Sequence, residues 1–334
     1  MQSDATSSRK ADHIDLALNS QVSETDPRFY YEPALNGHPE TFIQKQNFLG
    51  FELGAPIWIS SMTGGTHHAK TINQNLAKAC KKYKLGMGLG SCRVLLEDNT
   101  RFDDFNIRKF IGDNLPLYAN LGIAQVEKLL NANQIEKIKE LIDKTEANGL
   151  IIHINPLQEW LQPEGDRFSQ SPLLTLRHLV DKTDLKIIVK EVGQGMGPQS
   201  IHSLMELPLA AIDFGAHGGT NFAMLEMLRG NELKKEVYEP LANIGHTANE
   251  MVESINALLK KSGTYACKEF IVSGGVKNFL DGYYLTEKLN ANAIYGQASS
   301  LLKYAMDDFD LLCEYLELQI KGYALAKSFL KLKP

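Results

Sequence analysis

Gly149–Asn155 reads GLIIHIN, and 37 residues further on Lys186–Val192 reads KIIVKEV. Each is a short run rich in β-branched residues, with polar groups entering only toward its C-terminal end. Alternate side chains of a strand share a face, so Ile151, His153 and Asn155 fall on one face and Ile152 and Ile154 on the other. Ile188, Lys190 and Val192 group in the same way. A strand that is apolar on both faces at its start and polar on one face at its end suits a parallel barrel. There the lumen is packed and the site sits above the C-terminal strand ends.

Six more such runs lie to either side: PIWISSM (Pro56–Met62), LGMGLG (Leu85–Gly90), LYANLG (Leu117–Gly122), AAIDFG (Ala210–Gly215), KEFIVSGG (Lys268–Gly275) and AIYGQA (Ala293–Ala298). Successive starts lie 24 to 37 residues apart, apart from one interval of 58 with room for an extra helix. Stretches of helical composition such as Lys70–Tyr83 and Gln125–Ala147 fall between them. Eight βα units predict a single (β/α)8 TIM barrel over residues 56–334, preceded by an arm at 1–55 and closed by one or two helices over Leu301–Leu332. A doubly wound open sheet is the alternative. It lacks support because no strand leads into a G-x-G-x-x-G turn that opens a helix.

Composition agrees with a folded domain of this size. The 334 residues are 43% hydrophobic and 22% charged, with a net charge of −5, which excludes disorder, collagen and coiled coil for the whole chain. No apolar run is long enough for a membrane span, and the polar Met1–Asp15 segment has no signal-like core, so the expectation is a cytoplasmic protein without a membrane partner. No basic run suggests nucleic acid. Cys80, Cys92, Cys267 and Cys313 stand far apart without a C-x-x-C pair, and read as reduced thiols.

Four strands end in polar residues on one face, since Tyr118 shares a face with Asn120 and Ala211 with Asp213. Any one of these groups alone is more often a hydrogen-bonded core residue or a solvated end. Burying several without partners costs a few kcal/mol each, so their coincidence favours a shared ligand site. Met62-Thr63-Gly64-Gly65, Gly218-Gly219-Thr220 and Ser273-Gly274-Gly275 follow strands directly and allow close backbone approach to an anion. The turns after the last two strands, Ser273-Gly274-Gly275 and Gly296-Gln297-Ala298, occupy the usual phosphate position of a barrel. In the loop from Asn155 to Arg167, Asn155 as N-cap and Pro156 at the first position predict a short helix that Pro163 limits. It would present Gln158 and Glu159, a carboxylate able to hold Mg2+.

In order along the chain these segments resemble the type 2 isopentenyl diphosphate isomerases, a family of FMN-dependent (β/α)8 barrels. The resemblance runs from Arg9 to about Ala326. Arg9-Lys10-x-x-His13-Ile14, Met62-Thr63-Gly64-Gly65, Gly90-Ser91-x-Arg93, Ala119-Asn120-Leu121-Gly122, Lys190-Glu191-Val192-Gly193, Gly218-Gly219-Thr220-Asn221-Phe222 and Ser273-Gly274-Gly275 carry part of it. The most specific part is His153-x-Asn155-Pro156-Leu157-Gln158-Glu159 followed by Gln162-Pro163-Glu164-Gly165-Asp166-Arg167.

The resemblance implies FMN across the barrel mouth. Met62, Thr63, Gly64, Ser91, Asn120, Lys190 and Thr220 would contact its ring and ribityl parts, and Gly274, Gly275, Val276, Ala298 and Ser299 its phosphate. It further implies that Arg9, Lys10, His13, Ser91, Arg93, His153, Asn155 and Gln158 contact isopentenyl or dimethylallyl diphosphate. His153 and Gln158 become the catalytic candidates, and Glu159 the Mg2+ ligand. NADPH would serve only to reduce the flavin, whose N5 is the implied acid and base, and no protein nucleophile is needed. The arm at 1–55 would contribute a lid, and family members form tetramers or octamers.

Four departures from the family's pattern stand out: Cys92 in place of its usual Gln, His217 in the glycine-rich turn, His246 within Gly245-His246-Thr247, and Gly193-Gln194-Gly195-Met196-Gly197. Cys92 raises the prospect of altered flavin tuning or substrate affinity. Competing readings are a flavin-dependent hydroxy-acid oxidase or glutamate synthase-like enzyme, a Schiff-base aldolase using Lys190, and a non-catalytic flavin binder. The Gln158–Glu159 loop weighs against the first of these.

Overall fold

Three short strands precede the barrel: β1 (Phe29–Tyr31), β2 (Gln46–Phe48) and β3 (Phe51–Leu53). The barrel strands are β4 (Ile57–Ile59), β5 (Gly86–Gly88), β6 (Leu117–Gly122), β7 (Gly149–Ile154), β8 (Ile187–Glu191), β9 (Ala211–Asp213), β10 (Glu269–Val272) and β11 (Asn292–Gln297). The computed structural model describes residues 12, 13, 15–60, 63, 64, 68–261, 264–306 and 308–334. Every neighbouring pair from β4 to β11 is parallel, and β11 returns to β4, so the eight strands close. Each contains a segment read as a strand from sequence.

The helices are α1 (Ala69–Tyr83), α2 (Arg108–Ile111), α3 (Ile123–Asn131), α4 (Glu136–Lys144), α5 (Pro156–Leu161), α6 (Pro172–Lys182) and α7 (Pro198–Met205). They continue with α8 (Phe222–Arg229), α9 (Glu232–Ala242), α10 (Ala248–Lys261), α11 (Phe279–Lys288), α12 (Ser299–Ala305) and α13 (Phe309–Phe329). The long interval between β9 and β10 is filled by α8, α9 and α10.

Local chemistry explains these elements. In α1, Ala69, Ile72, Asn73, Leu76 and Cys80 recur at helical spacing and are buried, and the helix stops at Lys84, whose left-handed φ of 54° lets its N–H reach Cys80 O. Asn278 caps α11 by accepting from Leu280 N and Asp281 N. The lower lumen is filled by Trp58 and Tyr118, which meet edge to face at 6.1 Å, so the barrel is a packed core and the free space lies above it.

The arm contains short strands that pair with each other and with the end of the chain. β2 and β3 form a hairpin, and β1 pairs antiparallel with a closing strand, β12 (Leu330–Leu332). Gln46 Nε2 donates to Ala293 O at 2.8 Å and Leu49 N to Glu269 Oε2 at 2.7 Å. Both contacts lie at the starts of β10 and β11, so residues 46–49 cover the end of the barrel opposite the site. Arg9 and Lys10, on which a lid would depend, lie outside the described residues.

Candidate active site

A cavity of about 600 Å³ opens above the C-terminal ends of β8 to β11. Of the residues expected around a flavin, Lys190, Thr220, Gly274, Gly275, Val276, Ala298 and Ser299 line it. Gly274 and Gly275 have φ of +84° and +74°, and a Cβ on Gly274 would lie 2.1 Å from Ala216 O. These positions need glycine, and their bare backbone is what a phosphate can approach. Sequence reasoning missed Ser60, Gly193, Gly215 and Ser300, which also line the cavity. Ser60 is 4% exposed and its Oγ has no partner among the described residues. Its alternation with Trp58 was the available signal, because both face the lumen.

The polar strand ends meet as their alternation predicts. His153, Lys190 and Asp213 stand in register across β7, β8 and β9. Asn120 Nδ2 donates to Leu89 O at 3.0 Å, which turns its Oδ1 toward His153 Nδ1 at 2.8 Å. The carbonyl oxygen can only accept, so Nδ1 carries the proton and Nε2 is left as an acceptor. Burial, aided by the Lys190 charge, lowers the His153 pKa to about 3, so the ring is neutral. Burial raises the Asp213 pKa, against the opposing pull of Lys190 and of a hydrogen bond from Ser273 Oγ.

Glu191 anchors the loop that follows β8. Its Oε2 accepts from the N–H groups of Gly193, Gln194 and Gly195 at 2.7, 2.6 and 2.9 Å. The loop so fixed separates the large cavity from a smaller one of about 240 Å³, and Val192 and Phe222 line both. Asn155, Gln158 and His246 line the smaller cavity.

The loop after β7 begins with the predicted helix, α5, with Asn155 at its N-cap and Pro156 at its first position. Asn155 does not cap with its side chain. Its Nδ2 instead donates to Gln158 Oε1 and Glu159 Oε1, both at 3.0 Å. Glu159 is buried and its Oε2 accepts from Asp166 N at 2.6 Å, so this carboxylate organises the loop. Asn155 Oδ1 is buried without a partner among the described residues. Gln158 Nε2 points to Glu226 Oε1 at 3.4 Å, and Glu226 pairs with Arg229 at 2.7 Å. Among the described residues no group of three His, Cys, Asp or Glu side chains could hold a metal by itself.

The remaining candidates are less concentrated. Ser91 and Arg93 are exposed at the end of β5, while Thr63 O accepts from Asn73 Nδ2 at 3.2 Å. A Cβ on Gly64 would lie 2.3 Å from the Phe105 ring. His13 is exposed, and Met62, Arg9 and Lys10 lie outside the described residues. Cys92 is fully buried in the hydrophobic core, where its thiol contacts Gly90 O at 3.4 Å. The other three cysteines are also buried, and none forms a disulfide. His217 lies beside the turn with Nδ1 unpartnered among the described residues, and it does not line the large cavity.

By shape the chain is a (β/α)8 barrel of the kind found in solved oxidases. A flavocytochrome b2 variant with pyruvate bound matches with a TM-score of 0.61 at 12% identity over 90% of this chain and 72% of that one. A mandelate oxidase variant with a monooxide FMN adduct matches at 0.58 and 12% identity over 92% and 88%. At that identity the likeness shows the fold alone, and no family model matches the chain. Relatives by sequence are more specific. Isopentenyl-diphosphate delta-isomerase from Rickettsia africae (strain ESF-5) is 34% identical over 320 residues, 94% of this chain and 90% of that protein. The enzyme of the same name from Chlorobium phaeobacteroides is 33% identical over 300 residues, 84% and 80% of the two chains. The chain therefore belongs to the isopentenyl-diphosphate delta-isomerase family.

Proposed function

We propose that this protein interconverts isopentenyl and dimethylallyl diphosphate with reduced FMN as cofactor, the reaction of the type 2 enzymes its motifs resemble. The observation that carries this reading is the pairing of 34% identity over nearly the whole chain to a named isomerase with two unlike regions at one end of the barrel. One is a glycine-lined cavity fit for a cofactor phosphate, and the other a network of ionisable and amide side chains.

The residues present fit FMN. Gly274 and Gly275 leave bare backbone beside Ser299 for the phosphate, and Lys190 offers a cation to the N1 and O2 edge of a reduced ring. When bound, reduced FMN would supply proton addition at the terminal alkene carbon and proton removal at C2, with no net redox change. The protein side chains bind and orient. His153 is held neutral, with Nε2 as an acceptor, and Asn155 fixes Gln158 against α8. Arg93, together with Arg9, Lys10, His13 and Ser91, supplies contacts for the diphosphate.

For Mg2+ the loop after β7 offers the Glu159 carboxylate, now held by Asn155 Nδ2 and Asp166 N, as a hard oxygen donor, and the diphosphate would complete the shell. NADPH enters only as the reductant of the flavin. A homo-oligomer and a cytoplasmic setting complete the proposal; no described helix is long and apolar enough to cross a membrane.

The decisive experiment is anaerobic incubation with FMN, NADPH, Mg2+ and isopentenyl diphosphate, followed by NMR. Flavin-dependent dimethylallyl diphosphate without stoichiometric NADPH consumption is expected. Failure to form it with bound, reduced FMN overturns the reading.

A further inference from the structure

Outside the phosphate cavity, three side chains, one from the turn after β5 and two from α3, meet at one carboxylate. Asp166 Oδ2 accepts from Arg93 Nη1 at 3.2 Å and Gln125 Nε2 at 2.8 Å, and Asp166 Oδ1 accepts from Lys128 Nζ at 2.5 Å. The Asp166 side chain is 11% exposed, whereas Arg93 and Lys128 are 48% and 61% exposed. An isolated exposed lysine beside an aspartate is worth little. Here, however, the carboxylate is fixed from behind, by Gln125 and by its own N–H, which is bound to Glu159. Two cations share one carboxylate, and each remains about half exposed and able to reach a further anion.

The cluster also abuts the site. Gln125 and Lys128 are one turn apart on α3, which starts at Gly122 without a side-chain cap. A Cβ on Gly122 would lie 2.3 Å from Gln125 Oε1 and 2.9 Å from His153 Nε2, so the amide and the imidazole converge on one bare backbone position. Burial pushes the Asp166 carboxyl up, but Lys128 and Arg93 outweigh it and hold the pKa below the ordinary value. The carboxylate therefore stays charged and keeps both cations beside it. A doubly charged, multi-oxygen anion is the ligand that two adjacent half-exposed cations suit.

We propose that Lys128 is a diphosphate-binding residue, paired with Arg93 and held next to it by Asp166 acting as a positioning residue. This rests on the diphosphate reading of the site given above and adds a residue that the family's motifs do not include. The probe is inorganic diphosphate, titrated calorimetrically into the FMN-loaded wild type and into the Lys128→Gln, Lys128→Arg and Arg93→Gln variants at low salt. Lys128→Gln is expected to weaken binding about tenfold and Lys128→Arg to restore it to within threefold, while the Lys128→Gln/Arg93→Gln pair loses about a hundredfold as the two contacts are removed in turn. Circular dichroism checks folding, and the exposure of Lys128 makes the variants tolerable. Wild-type affinity in Lys128→Gln, when Arg93→Gln is impaired, overturns the role of Lys128. Absence of diphosphate binding in the wild type itself overturns the underlying reading of the site instead.

Discussion

The two sides of the barrel mouth are made of different material. Above β9 to β11 the cavity wall is backbone and small residues, with Gly218, Gly219, Gly274, Gly275 and Ser299 exposing the main chain. Above β6 to β8 the barrel end carries side chains instead, with Asn120 bonded to His153 and, separately, Asn155 bonded to Gln158 and Glu159. A backbone wall is fixed by dihedral angles and is indifferent to pH. A side-chain wall depends on protonation and on partners contributed by other elements, and it can be dismantled one group at a time. The first suits a cofactor that stays bound, and the second a ligand that arrives and leaves.

The contrast is broken most severely at Gly274. An alanine there must adopt a left-handed φ of +84° and place its Cβ 2.1 Å from Ala216 O. The backbone has to move, so Gly274→Ala is expected to lower stability by about 3 kcal/mol and FMN affinity roughly a hundredfold. A flavin absorbance titration and thermal unfolding check it, and wild-type FMN affinity would place the phosphate elsewhere. Glu191→Ala comes next. It strips three N–H groups of their acceptor at a buried position, with an expected loss of about 3 kcal/mol and about tenfold in FMN affinity through the Val192–Gly193 wall.

The side-chain wall is the one that titrates. His153 has an ordinary pKa of about 6.5 when the chain is unfolded and about 3 when folded. The unfolded chain therefore takes up a proton that the native state refuses. The full contribution to stability is present above pH 6.5 and is lost as pH falls from 6.5 toward 3. At pH 5 the loss is about 2 kcal/mol. Replacing His153 with Gln should flatten the denaturant midpoint between pH 7 and pH 4, whereas parallel curves for variant and wild type would show that the ring titrates normally.

The barrel was legible because a parallel strand buried on both faces leaves a dense apolar run, and GLIIHIN and KIIVKEV are such runs. β1 and β12 were not legible. Each has three residues, and their pairing depends on chain ends 300 residues apart. The same division holds at the site. Glycine turns and alternating polar strand ends are local signals, and they marked Lys190, His153, Asn120, Gly274 and Gly275 as candidates. Glu226 and Asp166 matter through partners 68 and 73 residues away, and no local pattern marks such contacts. Glu159 shows the intermediate case: its loop was read correctly as a short helix, but its burial and its bond to Asp166 N emerge only from the return of the chain through Gly165.

Glu226 sharpens the comparison at a smaller scale. Its carboxylate is buried against Arg229 and faces the Gln158 amide at 3.4 Å, so Glu226→Gln weakens an orienting contact without opening a cavity. The expected result is about a fivefold fall in kcat/KM for isopentenyl diphosphate, roughly 1 kcal/mol, with FMN affinity unchanged. A fall in FMN affinity instead would mean that α8 serves the cofactor wall.

Cys92 should have the smallest effect, and that is why it tests the boundary between site and scaffold. It stands in a motif whose neighbours, Ser91 and Arg93, are exposed at the mouth, yet the residue itself is turned into the core. Its thiol contacts Gly90 O, and burial pushes the pKa up to about 12, so no thiolate forms near a flavin at neutral pH. A serine hydroxyl in the same place can make the same contact and leaves little void. Cys92→Ser is therefore expected to cost about 1 kcal/mol of stability, with FMN affinity and substrate KM within twofold of wild type. The flavin reduction potential is the sharper readout. A group in the core leaves it unchanged, whereas a shift above about 30 mV, equivalent to about 1.4 kcal/mol for a two-electron couple, would put Cys92 in electronic contact with the cofactor and move the side-chain wall one strand further round the barrel.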